Sequence, residues 1–247
     1  MHETLTIPSS DGALGIHVVR PDGDGPFPVV VFFHHGPGLD DGSKEAMQLL
    51  AAAGYYVVSH DRYHREGPWY SLTPDMRSDQ DAMRRFWSVL MGTTEDLVSR
   101  DVDAVLGHLA SDVAAEDDRP MGCVGYCIGA RSVVCTMGGD HGGSFAAGVA
   151  LHPSFCTTDG PDSPHLLVPS IRGSMYVAFG SADTMQPPAD NVAFINAVNA
   201  MPDGRGEAEV LEGADHGFAV PDGPAYHPAA ADRAYQKALA LFARVLG

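Results

Sequence analysis

The sequence predicts an α/β fold: a mostly parallel central sheet flanked by helices on both faces. Three observations carry this reading. Short continuous apolar runs, such as Pro28-Val29-Val30-Val31-Phe32-Phe33, have the character of strands covered on both sides. They alternate with stretches whose apolar residues recur at helical spacing, as Leu97, Val98, Val102, Val105 and Leu109 do. Glycine-containing turns punctuate the alternation, the rhythm of βα units around one sheet. At 247 residues the chain fits one domain spanning 1–247 better than two small ones. A chain of that size buries roughly 70–75% of its unfolded surface, so one core suffices.

Two strands open the chain, near Glu3–Ile7 and Leu14–Val19, parted by the turn signal Ser9-Ser10-Asp11-Gly12. The run Pro28–Phe33 is the third strand and ends in the loop His34-His35-Gly36-Pro37-Gly38. A helix over Ser43–Ala53 is stopped by Gly54, and Tyr55–Ser59 is the next strand. From Arg62 to Thr93 the sequence is irregular and reads as an excursion over the sheet edge, with a helix near Asp79–Leu90. An amphipathic helix covers Thr94–Leu109. The short strand Gly122–Val124 leads into Gly125-Tyr126-Cys127-Ile128-Gly129 and a helix reaching Met137. Strands follow at Ala146–Leu151, Met175–Phe179 and Glu207–Leu211, with helices at Pro188–Ala200 and Ala229–Val245.

Charge narrows the function classes. Asp and Glu number 32 against 15 Lys and Arg, a formal −17, and the only lysines are Lys44 and Lys237. Phosphate backbones and anionic membrane surfaces are bound by clustered cations, so neither nucleic acid nor a membrane is an expected partner. No segment reaches 18 consecutive apolar residues, and Met1-His2-Glu3-Thr4-Leu5 has no basic or apolar leader character. Cys123, Cys127, Cys135 and Cys156 are too few in so long a chain for a disulfide framework. The expected setting is a reducing cytoplasm, where a cysteine matters for its reactivity.

Gly125-x-Cys127-x-Gly129 has the pattern of a nucleophile elbow with cysteine in the serine position. Such a nucleophile sits on a strained strand-to-helix turn, and side chains two residues to either side would collide with strand or helix. The N–H of Ile128 then opens a helix, where the dipole favours a thiolate and a developing oxyanion. A cysteine nucleophile needs a base, and the base an orienting carboxylate. In α/β-hydrolases these follow in the order nucleophile, acid, histidine. Asp183, just past the strand ending at Phe179, and His216, just past Leu211, meet that order at strand ends, where open α/β sheets bind ligands. Asp215 competes for the acid role, but adjacent residues in a turn seldom bring carboxylate and imidazole face to face. No second Cys or His pair completes a tetrahedral set with Cys123 and Cys127, so no metal is expected.

Gly-Tyr-Cys-Ile-Gly at 125–129, Gly-Ser-Ala-Asp at 180–183 and His-Gly-Phe-Ala at 216–219 resemble the dienelactone hydrolase family of α/β-hydrolases. Gly54-Tyr55, Asp61-Arg62-Tyr63 and the helix from Tyr226 resemble it too, so the likeness runs from about residue 14 to 245. It implies the α/β-hydrolase fold and the opening of a small ester or lactone through an acyl-enzyme, with no cofactor. Carried over, the catalytic residues are Cys127, Asp183 and His216, and the second oxyanion N–H is that of Gly36.

Two positions depart from the family pattern. His35 stands where the best-known members carry a glutamate, and Val220 where they hold the substrate carboxylate with an arginine. The substrate is therefore expected to have diverged toward neutral esters or lactones. Arg77, Arg84 and Arg85 are candidate replacements, and His35, Trp69, Arg85, His152 and Phe218 are candidate pocket residues. The expected partner is a small ester or lactone, bound by a monomer or homodimer. The alternative readings are a non-catalytic ligand-binding protein on this fold and an acyltransferase using the same nucleophile.

Overall fold

The computed structural model describes residues 1–247. Its first strands are β1 (His2–Ser9), β2 (Gly12–Val19), β3 (Phe27–Phe33) and β4 (Tyr56–His60), with α1 (Asp41–Ala52) before β4. Helices α2 (Gln80–Gly92) and α3 (Glu95–Leu109) precede the two-residue β5 (Ala115–Glu116). Then come β6 (Met121–Tyr126), α4 (Ile128–Gly138), β7 (Phe145–Leu151) and β8 (Ser174–Gly180). Helix α5 (Val192–Asn199), β9 (Gly206–Leu211) and α6 (Pro228–Val245) complete the chain.

The sheet order is β1-β2-β4-β3-β6-β7-β8-β9, with β5 paired to the start of β3. Only the β1–β2 and β2–β4 pairs are antiparallel. A two-residue turn suffices for the β1–β2 hairpin, whereas the parallel pairs need crossovers, which the helices supply. The period of two along β3 divides the core. Val29, Val31 and Phe33 pack with α3, α4 and α5, while Val30 and Phe32 pack with α1 and α6 on the opposite face. No helix is long and apolar enough to cross a membrane.

Four features differ from the sequence expectation. The helix expected over Pro188–Ala200 begins as a 3-10 turn, Pro188–Asn191, because Pro187 and Pro188 supply no N–H to a regular first turn. Strand β5 is too short to leave a periodic signal, and a 3-10 stretch at Pro164–Ser170 follows β7. Strand β6 runs on to Tyr126, so the elbow begins without an intervening loop. The excursion after β4 does more than cover an edge. Trp69 rests against Gly15 of β2, while Phe86 and Leu90 of α2 pack over Gly36 beside the β3 end. Tyr63, Phe86, Val89, Leu90 and Ile128 form a separate apolar cluster, onto which Tyr70, Leu72, Met83, Cys127 and Phe155 pack. The excursion is thus a roof over the strand ends.

Candidate active site

The turn between β6 and α4 holds Cys127 at φ 56° and ψ −116°, a conformation that costs a non-glycine residue strain. Its two glycines answer to close approach. A Cβ on Gly125 would strike the Gly129 carbonyl, and one on Gly129 would strike the Phe33 carbonyl at the end of β3. Two hydrogen bonds tie the turn to the segment after β7: Cys127 N–H donates to Leu151 O at 3.1 Å, and Ser154 N–H to Cys127 O at 3.0 Å.

Past β9, the backbone N–H of His216 is taken by the exposed Asp215 carboxylate at 2.7 Å, while the imidazole turns the other way. Its Nδ1 lies 2.7 Å from Asp183 Oδ2, and the Asp183 side chain is fully buried. The other Asp183 oxygen accepts the N–H groups of Met185 at 2.9 Å and Gln186 at 2.7 Å. A buried carboxylate is stable only when so satisfied. Burial alone would raise the Asp183 pKa, but the His216 bond and these N–H donors hold it below the ordinary range.

The hydroxyl of Ser154 lies 3.3 Å from Cys127 Sγ and 3.4 Å from His216 Nε2, beside a direct thiol–imidazole contact. Burial pushes the Cys127 thiol up, yet His216, the Ser154 hydroxyl and the charge of His35 outweigh it and bring the thiol down. Burial likewise opposes a charged His216, and Asp183 with Cys127 raises it above the ordinary histidine range. The two shifts run in the directions that promote proton transfer from thiol to imidazole. Burial raises the other three cysteines, Cys123, Cys135 and Cys156.

The N–H groups of Ile128, at the start of α4, and of Gly36, in the loop after β3, have no backbone acceptor. The Gly36 carbonyl accepts the Tyr63 hydroxyl at 2.9 Å, and His34 Nδ1 lies 2.8 Å from the His35 carbonyl. His34 is buried, which pushes its pKa down to about 3, so it is a neutral brace for this loop. His35 directs Nε2 to Asp40 Oδ2 at 2.8 Å, and the other Asp40 oxygen caps α1 by accepting Ser43 N–H at 2.8 Å.

The structure brings Cys127, Asp183, His216, Ile128 and Gly36 together and sets His35 beside them, but corrects the rest of the expected pocket. Trp69 stands on β2, three strands from β6, because its φ of 53° and an N–H bond to Asp61 turn the indole toward Gly15. Arg85 is exposed on α2, 3.8 Å from Glu66 and stacked over Tyr70, so it lies on the outer side of the roof. Phe218 and His152 are both 0% exposed and back the site instead of lining it. The His152 ring lies 5.1 Å from that of His216 and 5.5 Å from that of Phe218. Sequence reasoning missed Ser154 and Tyr63. The only signal for the former was its place in His152-Pro153-Ser154 at a strand end.

No three His, Cys, Asp or Glu side chains converge as a metal-binding group. His60 and His64 both approach the buried Asp101, which Arg65 also binds, an arrangement that ties the roof to α3. A groove of about 680 Å³ starts at Ile128 and Phe155 and follows α4 to Asp140. It is crossed by Arg62 and Arg131, both paired with Glu95.

A sheet of this order, an elbow at the end of β6 and an acid and a histidine past β8 and β9 define the α/β-hydrolase class. The model of the dienelactone hydrolase family matches residues 14–246, and the chain belongs to that family. A provisionally named carboxymethylenebutenolidase of Salmonella typhimurium is 24% identical over 98% of this chain and 87% of its own. The Pseudomonas putida carboxymethylenebutenolidase is 26% identical over 51% of this chain and 52% of its own. Among solved structures, a provisionally named dienelactone hydrolase of Klebsiella pneumoniae superposes with a TM-score of 0.80 at 20% identity, covering 99% of this chain and 98% of that one. A dienelactone hydrolase-like promiscuous phosphotriesterase from metagenomic libraries gives 0.72 at 20% identity, covering 100% and 99%. Membership makes the protein a dienelactone hydrolase-like hydrolase.

Proposed function

We propose that the protein hydrolyses a small neutral ester or lactone through a Cys127–His216–Asp183 triad and a thioester intermediate. The observation that carries this reading is the row Asp183, His216, Ser154, Cys127, each within hydrogen-bonding distance of the next and ending on a strained elbow. The Cys127 thiolate attacks the carbonyl carbon, and the N–H groups of Ile128 and Gly36 receive the oxyanion. Loss of one such donor has cost about 10²–10³ in turnover in other enzymes. The carbon–oxygen bond then breaks as imidazolium His216 protonates the leaving oxygen. Neutral His216 next takes a proton from water, which attacks the thioester and releases the thiolate.

The surroundings support a neutral substrate. Val220, where the family pattern has its carboxylate-binding arginine, is buried in the core. Arg62 and Arg131 are paired with Glu95, Arg65 with Asp11 and Asp101, and Arg85 with Glu66. The roof beside Cys127 is aromatic and aliphatic.

The test is a panel of neutral esters, lactones and a carboxylated dienelactone, with turnover and intact-mass detection of an acyl adduct. An adduct on Cys127 and loss of turnover in Cys127→Ala are the expected results, with neutral substrates faster. Full activity in Cys127→Ala overturns the mechanism, and a strong preference for the carboxylated lactone overturns the substrate class. Binding without turnover would favour the ligand-binding alternative, and acyl transfer to added amine or alcohol over water would favour the acyltransferase.

A further inference from the structure

Resting on the reading of Cys127 as nucleophile, we propose that Ser154 is a further catalytic residue, whose hydroxyl relays the thiol proton to His216. A hydroxyl can accept one proton while it donates another. Ser154 Oγ is 3.3 Å from Sγ, an ordinary length for a bond to sulfur, and 3.4 Å from His216 Nε2, so it touches both members of the thiol–imidazole contact. Hydrogen bonds of this kind are often long in a resting site and shorten in the reacting complex. On the far side of the ring, Nδ1 is committed to Asp183, which leaves the Nε2 lone pair facing the serine.

The backbone is built to hold that hydroxyl in place. Ser154 is 1% exposed, and its N–H is bonded to the carbonyl of Cys127 itself, so the two residues move as one piece. The residues around it, His152 at φ 38° and Phe155 at φ 55°, both lie in the left-handed region that side chains rarely adopt. His152 N–H is anchored to Ala178 O at 2.8 Å and Phe155 N–H to the Gln186 side chain at 3.1 Å. Strain held on both sides of one buried polar residue is the pattern expected where geometry serves chemistry. Neither the hydrophobic core nor the sheet requires a hydroxyl at this point.

The step balances without any other reactant. The Cys127 S–H bond breaks and its proton passes to Ser154 Oγ, as the serine's own proton passes to His216 Nε2. Thiolate and imidazolium result, with the serine hydroxyl restored.

The experiment uses the full chain, a neutral p-nitrophenyl ester and iodoacetamide. In wild type, the rate of thiol acylation plotted against deuterium fraction should bow, the sign of two protons in motion. Ser154→Ala should lower the acylation rate at neutral pH at least tenfold, move the pH midpoint of Cys127 alkylation upward and straighten the isotope plot. Ser154→Thr, which keeps the hydroxyl, should recover most of the loss. A straight plot in wild type overturns the relay without any variant having to fold. So does a Ser154→Ala protein that acylates and alkylates as fast as wild type, since thiol and imidazole would then need no intermediary. Iodoacetamide that labels Cys127 in wild type keeps the nucleophile reading intact in either case, whereas full esterase activity in Cys127→Ala removes that reading itself.

Discussion

Two histidine–carboxylate pairs stand at the site, and the difference between them shows how burial changes what such a pair does. His216 pairs with Asp183, whose side chain is fully buried and fed by two further N–H groups. His35 pairs with Asp40, whose side chain is 41% exposed and which also caps α1. Both contacts are short, 2.7 and 2.8 Å. In the first, no water competes for the carboxylate, so its charge acts almost wholly on the imidazole and raises its pKa. In the second, the carboxylate is part-exposed and shared with the α1 cap. Burial would raise it, but the His35 and Ser43 bonds act on Asp40 itself, holding it well below the ordinary carboxylate range. A similar hydrogen bond thus does different work depending on what surrounds it.

The largest effect should come from breaking the buried pair. Asp183→Asn misorients the imidazole and withdraws its charge, a change that has cost about 10⁴ in turnover in another triad. Ester hydrolysis should fall by orders of magnitude, with His216→Ala as severe and the double variant little worse than the stronger single one. Full additivity of the two losses would show that the residues do not act as one unit.

Next in size is the ionisation that the buried pair controls. Because the Cys127 pKa is lowered to about 7, its alkylation rate should rise through that pH and level off below the range of a free thiol. In His216→Ala the lowering influence is gone while burial remains, so the midpoint should move upward. An unchanged midpoint would assign the lowering to His35 instead.

Breaking the exposed pair should matter less. Asn is as good a helix cap as Asp, so Asp40→Asn removes the charge while preserving the start of α1. Alkylation and turnover should change less than tenfold, and thermal stability should barely move. A loss comparable to that of Asp183→Asn would place His35 in the catalytic machinery. The smallest effect belongs to Asp215→Asn. Its carboxylate holds a backbone N–H, not the ring, so kcat should stay within a factor of two, and inactivation would overturn the choice of acid.

Much of this arrangement was legible before any coordinates. The glycines at 125 and 129 announced a crowded turn, and the apolar strands ending at Phe179 and Leu211 put Asp183 and His216 at the correct rim of the sheet. The pocket was less legible. Trp69 and Phe218 have the composition of pocket walls, yet one lies on β2 and the other in the core. Arg85 was a candidate by charge alone, and charge does not say which face of α2 it occupies.

The sequence by itself determined the alternation of strands and helices and the crowded turn at Gly125–Gly129, with Asp183 and His216 following it in chain order. These are properties of local periodicity and local sterics, which a few neighbouring residues encode completely. Only the tertiary structure decided that Ser154 touches both thiol and imidazole, that His35 turns to Asp40, and that the roof reaches Gly36. Cys127 and Ser154 are 27 residues apart, and Ser154 and His216 are 62 apart. Contacts of that range arise because parallel strands deliver their following loops to one rim of the sheet. Which side chains then meet depends on loop conformations, here two left-handed residues around Ser154, that leave no periodic trace in the chain.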